Sequence, residues 1–252
     1  MPEGTSIRWV SQHHFPWSVP FLTFEGRKLE LLAWFEANTE PVQMLSKDDM
    51  FGVGFEGGLR IQIHRGGIVI ERVGKDVALP PAHVVEACCQ IMGATELTTG
   101  SLNGVWSIPL EDLDYTSACR AFATQTTQSA LEGTGAVPVD AALLFDALVR
   151  PDRGGGSLKI EYGIVTPSEL SLRLGKPHFG RLDGVSPTPR PPIDLRESAD
   201  QPEASLFAEV ARRASSLPLN PGDVPDACET AENFIGQCVL ALTVSSTSPE
   251  AP

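Results

Sequence analysis

The chain has 252 residues, of which 42% are hydrophobic and 20% charged. That supplies a large core, in one domain or two lobes, and argues against a mostly disordered chain. Nineteen Lys and Arg against 32 Asp and Glu leave a net charge of −13. A nucleic-acid partner and an anionic membrane surface are therefore not expected, because both need a basic surplus.

No apolar run approaches the roughly 20 residues of a membrane-spanning helix. The opening MPEGTSIRW lacks the basic start and apolar block of a secretory signal. The expected location is the cytoplasm. The five cysteines, Cys88, Cys89, Cys119, Cys228 and Cys238, are odd in number, include an adjacent pair and form no CxxC. They read as reduced, mostly buried thiols, neither a disulfide framework nor a zinc ribbon.

In chain order, SIRWV (6–10) reads as a short strand. HHFPW (13–17) follows as a proline-bent exit, because Pro16 and Pro20 oppose a central strand. RKLELLAWFEA (27–37) reads as a helix with Leu29, Leu32 and Phe35 on its apolar face. MFGVGF (50–55), GLRIQIH (58–64) and GIVIERV (67–73) alternate as strands, and the Gly66-Gly67 pair marks a hairpin. PPAHVVEACCQIMGA (80–94) reads as a helix with proline in its first turn and Val84, Ala87, Cys88 and Ile91 on its face.

The second half repeats the order of elements. GVWSIPL (104–110) is a strand, 113–131 a helix packing Leu113, Ala118 and Phe122, and DAALLFDALV (140–149) a short extra helix. SLKIEYGIV (157–165) and ELSLRLG (169–175) alternate as a strand pair, with PPIDLRE (191–197) as a last strand. Helices are expected over 204–217 and 225–242. The fold class that follows is α+β: two similar lobes of antiparallel sheet with helices packed on one face, in a duplicated β-α-β-β-β-α order. The expected boundaries are 1–99 and 100–244, with a flexible tail over 245–252.

The duplicated order resembles the saddle-shaped fold of TATA-box-binding proteins and their helix-grip relatives. The hairpin EGGLRIQIHRGGIVIERV and the strand PPIDLRES ahead of the C-terminal helices also resemble an uncharacterised bacterial family of similar length. The resemblance implies an architecture and brings no catalytic residues. The acidic charge argues against carrying over DNA binding.

The chemistry-bearing clusters have simple structural readings. His13 and His14 are adjacent, so in extended chain they point to opposite sides and cannot chelate one ion together. Phe15 and Trp17 read as core aromatics beside them. Cys88-Cys89 lacks the base or helix N-terminus that lowers a thiol pKa. RGGI (65–68) and RGGGS (153–157) lead into strands and lack phosphate-loop spacing. Glu111, Asp112 and Asp114 read as helix-capping acids, and PTPRPP (187–192) as a stiff connection. No catalytic residue, metal ligand or cofactor is assigned.

The candidate binding residues are His13, His14, Phe15 and Trp17, with Arg60, Gln62, His64 and Arg173 on an expected outward sheet face. The leading expectation is a non-enzymatic interaction or regulatory module that binds a protein partner or itself as a homodimer. The alternative is a small-molecule binder or enzyme with a pocket between sheet and helices.

Overall fold

The computed structural model describes residues 8–74, 76–94, 96–111, 113–131, 141–153, 155–175 and 203–247. The expected strand over 191–197 and the PTPRPP segment lie outside them.

The first half forms β1 (Arg8–Pro16), α1 (Phe21–Asn38), β2 (Gln43–Lys47), β3 (Met50–Gly54), β4 (Leu59–His64), β5 (Gly67–Val73) and α2 (Ala82–Met92). The second half forms β6 (Leu97–Thr98), β7 (Ser101–Pro109), α3 (Tyr115–Leu131), β8 (Ala142–Leu148), β9 (Ser157–Val165), α4 (Pro167–Gly175), β10 (Ser205–Arg213), β11 (Pro218–Leu219) and α5 (Val224–Thr247). Nine strands make one antiparallel sheet in the order β2-β3-β4-β5-β1-β7-β10-β9-β8, while β6 and β11 pair separately. The class is α+β. The two halves share this sheet, and the expected boundary near residue 99 falls just before the central strand β7.

HHFPW corrects the first expectation. His13, His14 and Phe15 lie inside β1, which is hydrogen-bonded on both sides. Pro16 is tolerated because it is the last strand residue, opposite Gly67, where pairing to β7 has already ended at His14. Pro20 does not prolong extended chain; its carbonyl accepts from Phe24 N–H and opens α1.

Helix α1 therefore starts six residues earlier than expected. It buries Phe24, Lys28, Leu31 and Phe35, a spacing of four, three and four, while Leu29 is 75% exposed. Lys28 enters this face because its ammonium donates to the carbonyls of Lys47 and Asp48 and lies 4.9 Å from the Phe24 ring centre. The 50–73 meander holds with one more edge strand, β2. Helix α2 turns slightly from its expected face and buries Val84, Val85, Cys88, Cys89 and Met92. Gly93 ends it at φ 66°, in the left-handed region that glycine adopts without strain. In α3, Ala118 and Phe122 are buried as expected, whereas Leu113 is 39% exposed ahead of the helix.

Three second-half assignments reverse. The expected helix at 140–149 is edge strand β8, and the expected helix at 204–217 is β10, which lies between β7 and β9. Alanine- and leucine-rich runs favour helix locally, and strand pairing overrides that weak preference. The expected strand at 169–175 is α4. Its start signal was present: Glu169 N–H donates to Thr166 Oγ1 at 3.3 Å, Pro167 occupies the first helical position, and Glu169 completes a T-x-x-E box.

Helices α1 and α2 pack on the β1–β5 part of one sheet face, and α3 on the β7–β9 part. Helix α5 joins the two: Val224 and Cys228 enter the first core, and Ile235 enters the second. Not every helix lies on this face. Leu170 of α4 packs with Val10, Val105, Val165 and Phe207, residues that alternate with the helix-side set and so point to the opposite face.

Gly104 of β7 sits beneath the folded-over ring of Trp106; a Cβ there would lie 2.5 Å from that ring and 2.7 Å from the Val10 carbonyl. Gly104→Ala is expected to cost about 1–3 kcal/mol and to lower the melting temperature by roughly 3–10 °C. Gly26→Ala, in α1 with open space at its Cβ, is expected to raise it slightly. Calorimetry of the two variants checks the pair of opposite signs.

Candidate functional site

The polar centre is built on β1. Strand alternation sends Ser11, His13 and Phe15 towards the helices and Gln12 and His14 to the other face, so the adjacent histidines separate as expected. On the helix side Ser11, His13 and Arg72 converge on Glu232 of α5, which is 4% exposed. Ser11 Oγ donates to Glu232 Oε1 at 2.6 Å, and His13 Nε2 lies 2.9 Å from the same oxygen. Arg72 of β5 donates from Nε at 3.1 Å and pairs through Nη2 with Oε2. Burial alone would raise the Glu232 carboxyl, but the bonds to His13, Arg72 and Ser11 outweigh it and hold the carboxyl below its usual range. An ionised carboxylate only accepts, which assigns a proton to His13 Nε2.

This is a serine, a histidine and an acid, but not a nucleophilic triad. Ser11 donates to the carboxylate, not to the imidazole that would have to take its proton. The arrangement anchors α5 across β1 and β5. Its neighbours are equally committed: Phe15 stacks on the His13 ring with centroids 6.3 Å apart, and Trp17 Nε1 donates to the His64 carbonyl at 2.8 Å.

On the opposite face the structure brings His14, Arg60, Gln62 and His64 into one region, on β1 and β4. The expectation of an open outward surface is corrected. His14 is 5% exposed, His64 2% and Glu71 not at all. Polar side chains here bond to one another: Gln12 Nε2 donates to Glu71, Arg60 lies 3.6 Å from Glu71, and His64 Nε2 is 3.4 Å from Gln62 Oε1. Desolvation, with His64 nearby, lowers the His14 pKa to about 4. Desolvation also lowers His64, against the opposing pull of Asp49. Gly67 makes this packing feasible, since a Cβ there would lie 2.5 Å from His14 Nε2.

Arg173 is not on a strand. From α4 it bonds Glu161 at 2.8 Å, Glu169 at 2.9 Å and Glu209 at 3.0 Å, with its guanidinium 4.2 Å from the Phe207 ring centre. Glu161 and Glu209 are directly opposed across β9 and β10, so Arg173 neutralises a like-charge pair. Sequence reasoning missed Ser11, Arg72, Glu71 and Glu232. For Glu232 a signal existed: Val224, Cys228 and Ile235 mark the buried stripe of α5, and Glu232 falls on it. Its partners, more than 150 positions away, had none.

A cavity of about 230 Å³ opens beside His13, bounded by Ser101, Leu102, Arg212, Leu217 and Ala231. The Arg212 guanidinium lies 4.6 Å from the Phe234 ring centre. All five cysteines are free thiols; burial raises Cys88 and Cys228 and pushes Cys89 up to about 12, away from reactive thiolate. Asp114 caps α3, accepting from Ser117 N–H at 2.9 Å. Among the described residues no three His, Cys, Asp or Glu side chains are grouped to hold a metal, and no helix is long and apolar enough to cross a membrane.

No protein-family model matches the sequence, and no curated protein matches it significantly.

His14, His64 and Glu232 make stability pH-dependent with one sign. Between about pH 6.5 and about 4 the unfolded chain binds a proton at His14 that the folded chain does not, so acidification removes about 3 kcal/mol over that window. Glu232, depressed when folded, contributes fully above the ordinary carboxyl range and loses its contribution as pH falls towards its folded value. Urea denaturation should show His14→Asn flatter than wild type from about pH 6.5 to 4. Glu232→Gln should lose roughly 3–5 kcal/mol at pH 7, because Arg72 is left without its carboxylate. Parallel pH curves for wild type and His14→Asn would refute the assignment.

Proposed function

We propose that the protein is a non-enzymatic interaction module that accepts a partner strand at the β8 edge of its sheet. One observation carries this reading: among the described residues, β8 is an apolar edge strand with no strand on its outer side. Leu144 is 56% exposed, Phe145 46% and Leu148 87%. Folded proteins blunt such edges with charge, proline or cover, because the outer row of N–H and C=O groups templates pairing. The other edge, β2, is shorter and carries the polar Gln43, Ser46 and Lys47 exposed beside a single exposed leucine, Leu45 at 38%. Strand β8 runs seven residues as ALLFDAL, and its one charge, Asp146, stands opposite Lys159 of β9. Strand addition takes main-chain affinity from such an edge and specificity from alternate side chains.

The polar groups that most resemble catalytic machinery are already bonded to one another, which favours a binding role. The strand order running outward from β1 and β7 favours the saddle-like, duplicated architecture expected from the sequence. The buried free thiols accord with a reducing compartment, and we place the protein in the cytoplasm.

The edge is tested with a lysine-flanked synthetic peptide carrying ALLFDAL. Pairing of Val149 with Gly156 and Ile164 with Ala141 sets the ladder phase, so the N–H groups of Ala142, Leu144, Asp146 and Leu148 point away from β9. Excess peptide should slow hydrogen exchange at those four amides, and should not do so in a Leu144→Lys/Leu148→Lys variant. Unchanged exchange at about millimolar peptide, with the protein dilute enough to be monomeric, would sink the reading, because even weak strand addition registers there.

A second reading, small-molecule binding, is favoured by the cavity that places Arg212 and His13 at one wall. It fits a compact ligand with an apolar body and a carboxylate. Ala231→Phe, which narrows the cavity, should then abolish the thermal stabilisation given by short aliphatic carboxylic acids. No stabilisation by any chain length in wild type removes this reading.

A further inference from the structure

We infer that the strand taken up at this edge is β8 of a second copy, paired antiparallel about a two-fold axis through Phe145. The inference rests on the strand-addition reading above and names its occupant. Its argument is the register. The outward-facing residues of β8 are Ala142, Leu144, Asp146 and Leu148, so a partner must align its own outward residues with these. With Phe145 opposite Phe145, Ala142 meets Leu148 and Leu144 meets Asp146. All seven positions overlap, and every outward N–H and C=O of both strands finds a partner.

Charge selects the same register. Moving the axis to Asp146 would set two carboxylates side by side, which is unfavourable in a sheet. Moving it to Leu144 would leave Leu148 beyond the paired strand of the other copy. With the axis at Phe145, each Asp146 lies opposite a leucine and keeps Lys159 on its inner side. Strand alternation then puts Leu143, Phe145 and Ala147 of both copies on the helix side, with the two phenylalanines in contact across the axis. The contact is isologous and closed, so it stops at two copies. The β2 edge, guarded by polar side chains, does not propagate it.

A pair of seven-residue strands is smaller than a standard protein interface, and the net charge of −13 on each copy opposes association. The dimer is therefore weak, with a dissociation constant on the order of 10 μM, and it tightens as salt screens the repulsion.

Sedimentation velocity across a concentration series, with oxidative cross-linking of a Phe145→Cys variant, tests this. Phe145 would occupy a non-hydrogen-bonded pair, where opposed Cα atoms are about 4.5 Å apart, within disulfide reach. The expected results are a concentration-dependent dimer, a covalent dimer from Phe145→Cys, and none from Leu148→Cys, which faces Ala142. Leu144→Asp, at an exposed position, sets a carboxylate opposite Asp146 of the other copy on both sides of the axis and should weaken the dimer at least about tenfold. A monomer at about 100 μM, well above such a dissociation constant, overturns the inference. So does a dimer that neither cross-links at residue 145 nor weakens with Leu144→Asp. If the chain is monomeric while the synthetic strand still protects the β8 amides, only the identity of the occupant fails. If neither pairs, the edge reading fails with it.

Discussion

The fold depends on the antiparallel pairing of β1 with β7. Each strand opens one half of the chain, and each is hydrogen-bonded on both sides. A central strand must satisfy its backbone groups through neighbours, since water does not reach them. Joining the halves at this seam merges two sets of strands into one sheet and, among the described residues, leaves two outer edges, β2 and β8. It also brings two hydrophobic cores side by side beneath one face, and α5 spans them.

The seam explains why a buried carboxylate is tolerated in α5. The helix enters the first core through Cys228 and the second through Ile235, and Glu232 lies between them, over β1. Removing a carboxylate from water costs several kcal/mol unless charge and hydrogen bonds compensate. Arg72, His13 and Ser11 supply that compensation from two adjacent strands. The polar cluster therefore fixes where α5 sits along the sheet, a matter on which non-directional hydrophobic packing is less selective. The opposite face follows related logic: Arg173 holds two opposed glutamates, and Gln12 and Arg60 attend Glu71.

With the central polar groups consumed in this way, the functional interest moves from the middle of the sheet to its rim. The two edges have unequal chemistry. Strand β2 is short and mostly polar at its exposed positions, while β8 is longer, apolar and, among the described residues, uncovered. An edge of the second kind is a hazard unless something occupies it, and that asymmetry separates an interaction role from a purely structural account of the same sheet.

Much was legible without coordinates. Composition pointed to a globular chain, the order of elements to the α+β class, and period-two patterning located β3, β4, β5, β7 and β9. The glycine-marked hairpin and helices α2, α3 and α5 also followed from local pattern. The alternation of β1 correctly set His13 and His14 on opposite sides. Local pattern failed where two states compete for the same residues. ALLFDALV and SLFAEVARR suit a helix until β9 and β7 offer ladder partners, and ELSLRLG alternates like a strand although Thr166, Pro167 and Glu169 cap a helix. Alternation told which side a residue faces, but not whether that side meets water, so the buried His64 was read as surface. Only the tertiary structure decided that Glu232 would gather Ser11, His13 and Arg72, and that β8 rather than β2 would be the open apolar edge. Both depend on partners distant in sequence, and residue order alone carries no record of which distant groups will satisfy a buried charge or leave a strand unpaired.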